Sequence, residues 1–123
     1  MRFITVSGPP SSGKTAVILK TLECFSPRPN VGVVKFDCLS TYDDQRYRKA
    51  GIPVQVGISG NLCPDHYYVS NIDSCLQWGQ RKGFDYLICE SAGLCNRCSP
   101  HIKGILAVCV VDILSGIDTP KKI

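Results

Sequence analysis

Residues Gly8-Pro9-Pro10-Ser11-Ser12-Gly13-Lys14-Thr15 spell G-x-x-x-x-G-K-[ST]. This is the phosphate-binding loop of P-loop nucleotide hydrolases, and each part has a physical job. The glycines let backbone N–H groups turn inward around a phosphate, and the helix that starts at the loop adds its positive dipole end. Lys14 would reach the outer phosphates and the Thr15 hydroxyl would sit on Mg²⁺, while Pro9, Pro10, Ser11 and Ser12 would complete the cradle. The flanks agree. Arg2-Phe3-Ile4-Thr5-Val6 reads as a strand, and Thr15 to Phe25 reads as a helix with Val17, Ile18, Leu22 and Phe25 on one side.

Outward from the loop, apolar strands alternate with helices. Val31 to Phe36 is a strand, and Ser40-Thr41 can cap a short helix that carries Asp43 and Asp44 in its first turn and stops at Gly51. Ile52 to Val56 is a short strand-like piece, followed by a loop from Gly57 to Asn61. A helix from about Asp65 to Lys82 shows Tyr68, Ile72, Cys75 and Leu76 on one face and ends at Gly83. Phe84 to Glu90 and Ile105 to Val111 are strands without polar alternation. The pattern predicts an α/β chain: a three-layer P-loop NTPase with a mostly parallel sheet covered on both faces.

The 123 residues fit one nucleotide-binding domain, residues 1–123. With 44% hydrophobic and 20% charged residues the composition is that of a soluble globular protein. No apolar run approaches the ~18 residues of a membrane span. The first residues lack signal-peptide architecture, because their apolar run breaks at Gly8. The net charge of +4 is spread over the chain, and no basic and aromatic stripe marks a nucleic-acid surface. Nucleic acid and membrane are therefore excluded as expected partners. A P-loop protein works where nucleoside triphosphates are, so the expected location is the cytoplasm.

Acidic residues sit where strands end. Asp37 follows the 31–36 strand, and Glu90 ends the 84–90 strand with Ser91-Ala92-Gly93 after it. An acid at the carboxyl end of a strand beside the loop can hold Mg²⁺ or orient the attacking water. Gly93 would let a backbone N–H approach the γ-phosphate. The catalytic candidates are Lys14, Asp37 and Glu90.

Eight cysteines are many for this length. Cys24, Cys38, Cys75, Cys89 and Cys109 lie inside apolar patterns and read as small buried hydrophobes. Cys63, Cys95 and Cys98 lie in turn-rich sequence. Cys63-Pro64-Asp65-His66 stands at a helix start, where the dipole favours a thiolate. Cysteine with imidazole suits Zn²⁺, Ni²⁺ or copper. Cys95-Asn96-Arg97-Cys98 has the C-x-x-C spacing that grips one soft metal or forms a redox pair, with His101 close by.

The chain resembles the SIMIBI-class metallochaperone GTPases: the urease accessory G protein, the hydrogenase-maturation nickel GTPase and the cobalamin-synthesis W proteins. Four stretches carry the resemblance, namely Gly8–Thr15, Lys35–Gly51, Cys63–His66 and Glu90–Gly93, with a similar tail from Val111 to Lys122. It implies Mg-GTP binding, with Asp37 near Mg²⁺ or the water and Glu90 in place of the more usual Asp. The urease-type protein has Cys-Pro-His at the place of Cys63, whereas here Asp65 intervenes before His66. The family continues into a strand ending in Asn-Lys-x-Asp that reads guanine. No such motif occurs, so the chain reads as truncated before that strand, and GTP and ATP both remain open.

The leading expectation is a GTP-hydrolysing metallochaperone. Its metal-contacting residues are Thr15, Asp37 and Glu90 for Mg²⁺, and Cys63, His66, Cys95 and Cys98 for Ni²⁺ or Zn²⁺. Zn²⁺ wants four ligands and each loop offers two or three, so a nucleotide-dependent homodimer would complete a shared site. The metal would pass to a client metalloenzyme or another accessory protein. Two alternatives stand beside it: a nucleotide-gated redox or Fe–S module built on Cys95 and Cys98, and an ATP-using small-molecule kinase.

Overall fold

In the computed structural model, alternation of strands and helices is the organising feature. Residues 1–8, 13–37, 43–58, 64–91 and 106–110 are described, with positions 37, 43, 58 and 64–72 described by backbone alone. The elements are β1 (Arg2–Ser7), α1 (Lys14–Glu23), β2 (Val31–Asp37), α2 (Asp43–Lys49), β3 (Val54–Ile58), α3 (Pro64–Lys82), β4 (Tyr86–Ser91) and β5 (Leu106–Cys109). The strands form one sheet in the order β3-β2-β4-β1-β5, and every pairing is parallel. All five strands therefore finish at the same edge, where the loop after β1 begins.

Strand alternation divides the side chains between two cores. On one face Phe3, Val34, Phe36, Leu87 and Cys89 meet Cys75 and Trp78 of α3, with Phe84. On the other face Val6, Val31, Val33 and Ile88 meet Ile18 and Leu22 of α1, Tyr47 of α2 and Ile52. These strands carry apolar residues at consecutive positions because both faces are covered. The result is the three-layer α/β arrangement expected from the sequence.

Two close contacts fix how α3 meets the sheet. The Phe84 ring lies against Gly32 so tightly that a Cβ there would stand 2.1 Å from a ring carbon. The same ring meets Trp78 edge-on, with centroids 5.1 Å apart and planes at 72°. The glycines expected to end α2 and α3 do so by taking left-handed backbone, with φ of 75° at Gly51 and 70° at Gly83.

Some expectations need correction. α1 ends at Glu23, and only Ile18 and Leu22 of its apolar residues are buried, while Val17 and Phe25 are exposed. Val17 is next to Ile18 in sequence and so falls about 100° away around the helix, off the buried stripe. The third strand begins at Val54 and runs through Gly57 to Ile58, inside what reads as a loop. Parallel pairing with β2 accounts for this, since Gly57 pairs with Phe36 and Ile58 with Asp37. Cys24 and Cys109 are exposed, whereas Cys75 and Cys89 are buried as expected. Cys24 caps the end of α1, where its thiol donates to the Lys20 carbonyl at 3.3 Å. Cys109 lies at the end of an outermost described strand. Cys38 lies outside the described residues.

Candidate functional site

The carboxyl edge of β1 carries Gly8 and leads to α1, whose first residues are Lys14 and Thr15. Gly13 takes φ 95°, a left-handed conformation natural only to glycine, at the cap position of the helix. Among the described residues no side chain caps the helix there. Its first amides are thus left to a loop or ligand, as an anion-binding helix start requires. Lys14 is buried, and its ammonium donates to the Gly8 carbonyl at 3.2 Å. The lysine is folded back onto the first glycine of its own motif.

Glu90 is the centre of the site. It sits on β4 between the two strands that matter, with Val6 of β1 on one side and Lys35 of β2 on the other. Its side chain is only 2% exposed. A carboxylate so deep needs donors on both oxygens, and it has them. The Thr15 hydroxyl donates to Oε1 at 2.8 Å, and the Lys35 ammonium donates to the same oxygen at 3.4 Å. The Tyr47 hydroxyl donates to Oε2 at 2.5 Å. Lys35, Tyr47 and Thr15 are themselves buried. One acid thus joins the helix after the loop, strand β2 and helix α2.

Lys35 and Tyr47 belong to this centre although nothing in the sequence reading singled them out. A signal for Lys35 was present. It interrupts the apolar run Val31-Gly32-Val33-Val34-Lys35-Phe36, and a lysine in a strand covered on both faces requires an anion. Tyr47 had no comparable mark, because a tyrosine on a short polar helix reads as surface.

The donor set suits a hard divalent cation. Mg²⁺ takes oxygen ligands, directly or through water, and a hydroxyl and a carboxylate oxygen 2.8 Å apart are of that kind. Asp37 ends β2 at the same edge of the sheet. On the far side of β1, partial desolvation raises the Cys109 thiol above its ordinary value although the residue is exposed, and the Lys14 ammonium offsets less than all of that rise.

The remaining expected residues are not described at the side-chain level. Pro9, Pro10, Ser11, Ser12, Cys63, Gly93, Cys95, Cys98 and His101 lie outside the described residues, and His66 enters only as backbone in the first turn of α3. Among the described residues no group of three or more His, Cys, Asp or Glu could hold a metal ion. No described helix is long and apolar enough to cross a membrane.

Comparison with known proteins gives this geometry relatives. No protein-family model matches the chain. Over its whole length it is 45% identical to an uncharacterized protein of Methanocaldococcus jannaschii, of which it covers 53%. It is 28% identical over 95% of its length to urease accessory protein UreG 1 of Saccharopolyspora erythraea, covering 51% of that protein. The chain thus spans about half the length of the relatives it matches. Among solved structures it is similar to HypB from Helicobacter pylori in complex with nickel, with a TM-score of 0.60 and 28% identity over 76% of this chain and 43% of that one. The hydrogenase maturation factor HypB from Archaeoglobus fulgidus shares the fold, with a TM-score of 0.69 and 23% identity over 99% of this chain and 59% of that one. The P-loop motif, the parallel sheet that presents it and these likenesses point the same way: the chain has the fold of the P-loop GTPases and is similar in sequence to UreG 1 and to HypB, members of the SIMIBI-class metallochaperone group.

Proposed function

We propose that the protein is a nucleotide hydrolase, acting on GTP, that carries a transition metal and hands it to a metalloenzyme or another accessory protein. The observation that supports this best is the buried contact between the Thr15 hydroxyl and Glu90, 2.8 Å apart. It joins the loop that would hold the phosphates to the acid of the Glu-x-x-Gly stretch. The likeness to nickel-bound HypB and to UreG 1 supports nickel as the cargo, with zinc the alternative.

In this reading the phosphates lie against the helix start at Gly13, and Lys14 leaves the Gly8 carbonyl to neutralise the outer phosphates. Thr15 and Glu90 would hold Mg²⁺, with Asp37 near it. When bound, the ion offsets charge on the β- and γ-phosphate oxygens. Water attacks the γ-phosphorus, the bond to the β-phosphate oxygen breaks, and nucleoside diphosphate and inorganic phosphate leave. Asp37 or Glu90 orients that water, and Gly93 offers an amide to the γ-phosphate. The catalytic set proposed is Lys14, Asp37 and Glu90.

The cargo would bind Cys63, His66, Cys95 and Cys98. The sheet gives this a rationale, because the chain leaves β3 at Ile58 and β4 at Ser91, both at the edge where the loop after β1 begins. Ligands on those segments would feel the presence or loss of the γ-phosphate. Two protomers would combine their ligands in a nucleotide-dependent dimer.

The test is equilibrium dialysis of Ni²⁺ or Zn²⁺ against the full chain, alone and with a non-hydrolysable GTP analogue. The proposal expects stoichiometric metal, tighter by tenfold or more with the analogue, and lost in Cys63→Ala. Equal binding by Cys63→Ala removes that loop from the metal site. A visible absorption band after anaerobic isolation, with no nucleotide-dependent metal uptake, favours the redox or Fe–S reading instead.

A further inference from the structure

Lys35 stands in the middle of the sheet, 3% exposed, on the strand next to the one that bears Glu90. An ammonium at such a depth is costly unless an anion and hydrogen bonds compensate it. Register leaves little freedom, because Lys35 is the residue of β2 directly opposite Glu90 of β4. Its Nζ meets the oxygen that also receives the Thr15 hydroxyl, so the ammonium stands beside the first turn of α1. The buried charged side chains described at this edge are Lys14, Lys35 and Glu90, two ammonium groups beside one carboxylate. A hydrolase that relies on Mg²⁺ alone needs only Lys14 and an acid here. The second fixed cation is surplus to that role, and it adjoins the hydroxyl that would meet the phosphates and the ion.

We propose that Lys35 is a resident cation of the nucleotide site: its ammonium supplies part of the charge neutralisation that Mg²⁺ otherwise gives, so the protein holds a nucleoside triphosphate without a divalent ion. The proposal rests on the nucleotide reading of the site. Lys35 acts as a positioning residue through two routes. It keeps Glu90 charged and in place for Thr15, and it adds fixed positive potential that needs no reorganisation when the triphosphate arrives. Tyr47 holds the other carboxylate oxygen, so Glu90 cannot swing away with its cation. Lys35 stays with Glu90 when nucleotide leaves, whereas Mg²⁺ departs with it.

The test is a fluorescence titration of the full chain with an N-methylanthraniloyl derivative of GTP, in excess Mg²⁺ and in EDTA. For the unaltered protein the ratio of affinities in the two buffers is expected to be less than about thirtyfold, because a fixed cation in a partly desolvated site supplies an interaction of that order. In Lys35→Met, which keeps the length and apolar stem, the loss in EDTA should exceed the loss in Mg²⁺ by at least about tenfold, and Lys35→Arg should restore most of it. A merely structural lysine would weaken binding equally in both buffers, and that result overturns the proposal. A ratio of thirtyfold or more for the unaltered protein also overturns it, and this arm holds even if Lys35→Met does not fold. Binding in neither buffer would instead remove the nucleotide reading itself, and the proposal with it.

Discussion

The two faces of the sheet are built from the same strands and do different work. Toward α3, β4 presents Leu87 and Cys89, which pack in an apolar cluster with Phe3, Val34, Phe36, Cys75, Trp78 and Phe84. Toward α1 and α2, the same strand presents Ile88 and then Glu90, and the core gives way to a buried polar cluster at the carboxyl edge. The α3 face is closed by shape, as the Phe84 ring on Gly32 and the Trp78–Phe84 contact show. The α1/α2 face is closed by charge matching, with one acid satisfied by Thr15, Lys35 and Tyr47. Damage to the first face should therefore cost stability, and damage to the second should cost ligand binding before it costs the fold.

The largest structural effect is expected on the apolar face. Trp78→Ala removes a 7% exposed indole from the α3 core and should destabilise by about 3–5 kcal/mol in denaturant titration. A loss below about 1 kcal/mol would mean that α3 is not held by this core.

Next in size is the link between α2 and the acid. Tyr47→Phe keeps the ring and removes the donor to Glu90 Oε2, leaving a buried carboxylate oxygen short of a partner. It should cost about 1–3 kcal/mol. It should also weaken nucleotide binding more than an equally destabilising change on the α3 face, which is the comparison in its sharpest form.

The smallest effect concerns thiols. Burial raises Cys75 to about 11 and pushes Cys89 well above its usual range, with Cys75 beside it adding to the shift. Both thiols stay protonated in the folded chain while an unfolded thiol ionises near the ordinary value of 9.0. Because the folded value is the raised one, this contribution to stability is complete below about pH 9 and is lost as pH rises toward about 11. The melting temperature should fall across that window, and less steeply in Cys75→Val/Cys89→Val. An equal slope in both proteins would show that the pair does not govern alkaline stability.

The same contrast explains what could be read from the sequence. The α3 face was legible through periodicity, since Phe84 to Cys89 has no polar alternation and Gly83 ends the helix before it. The loop and its helix were legible because G-x-x-x-x-G-K-[ST] carries its chemistry in fixed spacing. Glu90 was legible as an acid at a strand end. Its partners were not, because Lys35 and Tyr47 come 55 and 43 positions away and meet it only through strand register and the approach of α2. The exposed Cys24 and Cys109 show the reverse limit: an apolar neighbourhood in sequence does not say whether the residue ends a helix or stands at the end of the outermost described strand.

The central claim is that the α1/α2 face is a triphosphate site, and nucleotide binding to Lys14→Met tests it most directly. Calorimetric titration with GTP in Mg²⁺, beside a thermal melt of each protein without nucleotide, gives both quantities at once. The account predicts that the unaltered chain binds, that Lys14→Met loses about a hundredfold or more in affinity, and that its melting temperature moves by no more than a few degrees. Equal affinity in the two proteins, or no binding by the unaltered chain, would contradict it.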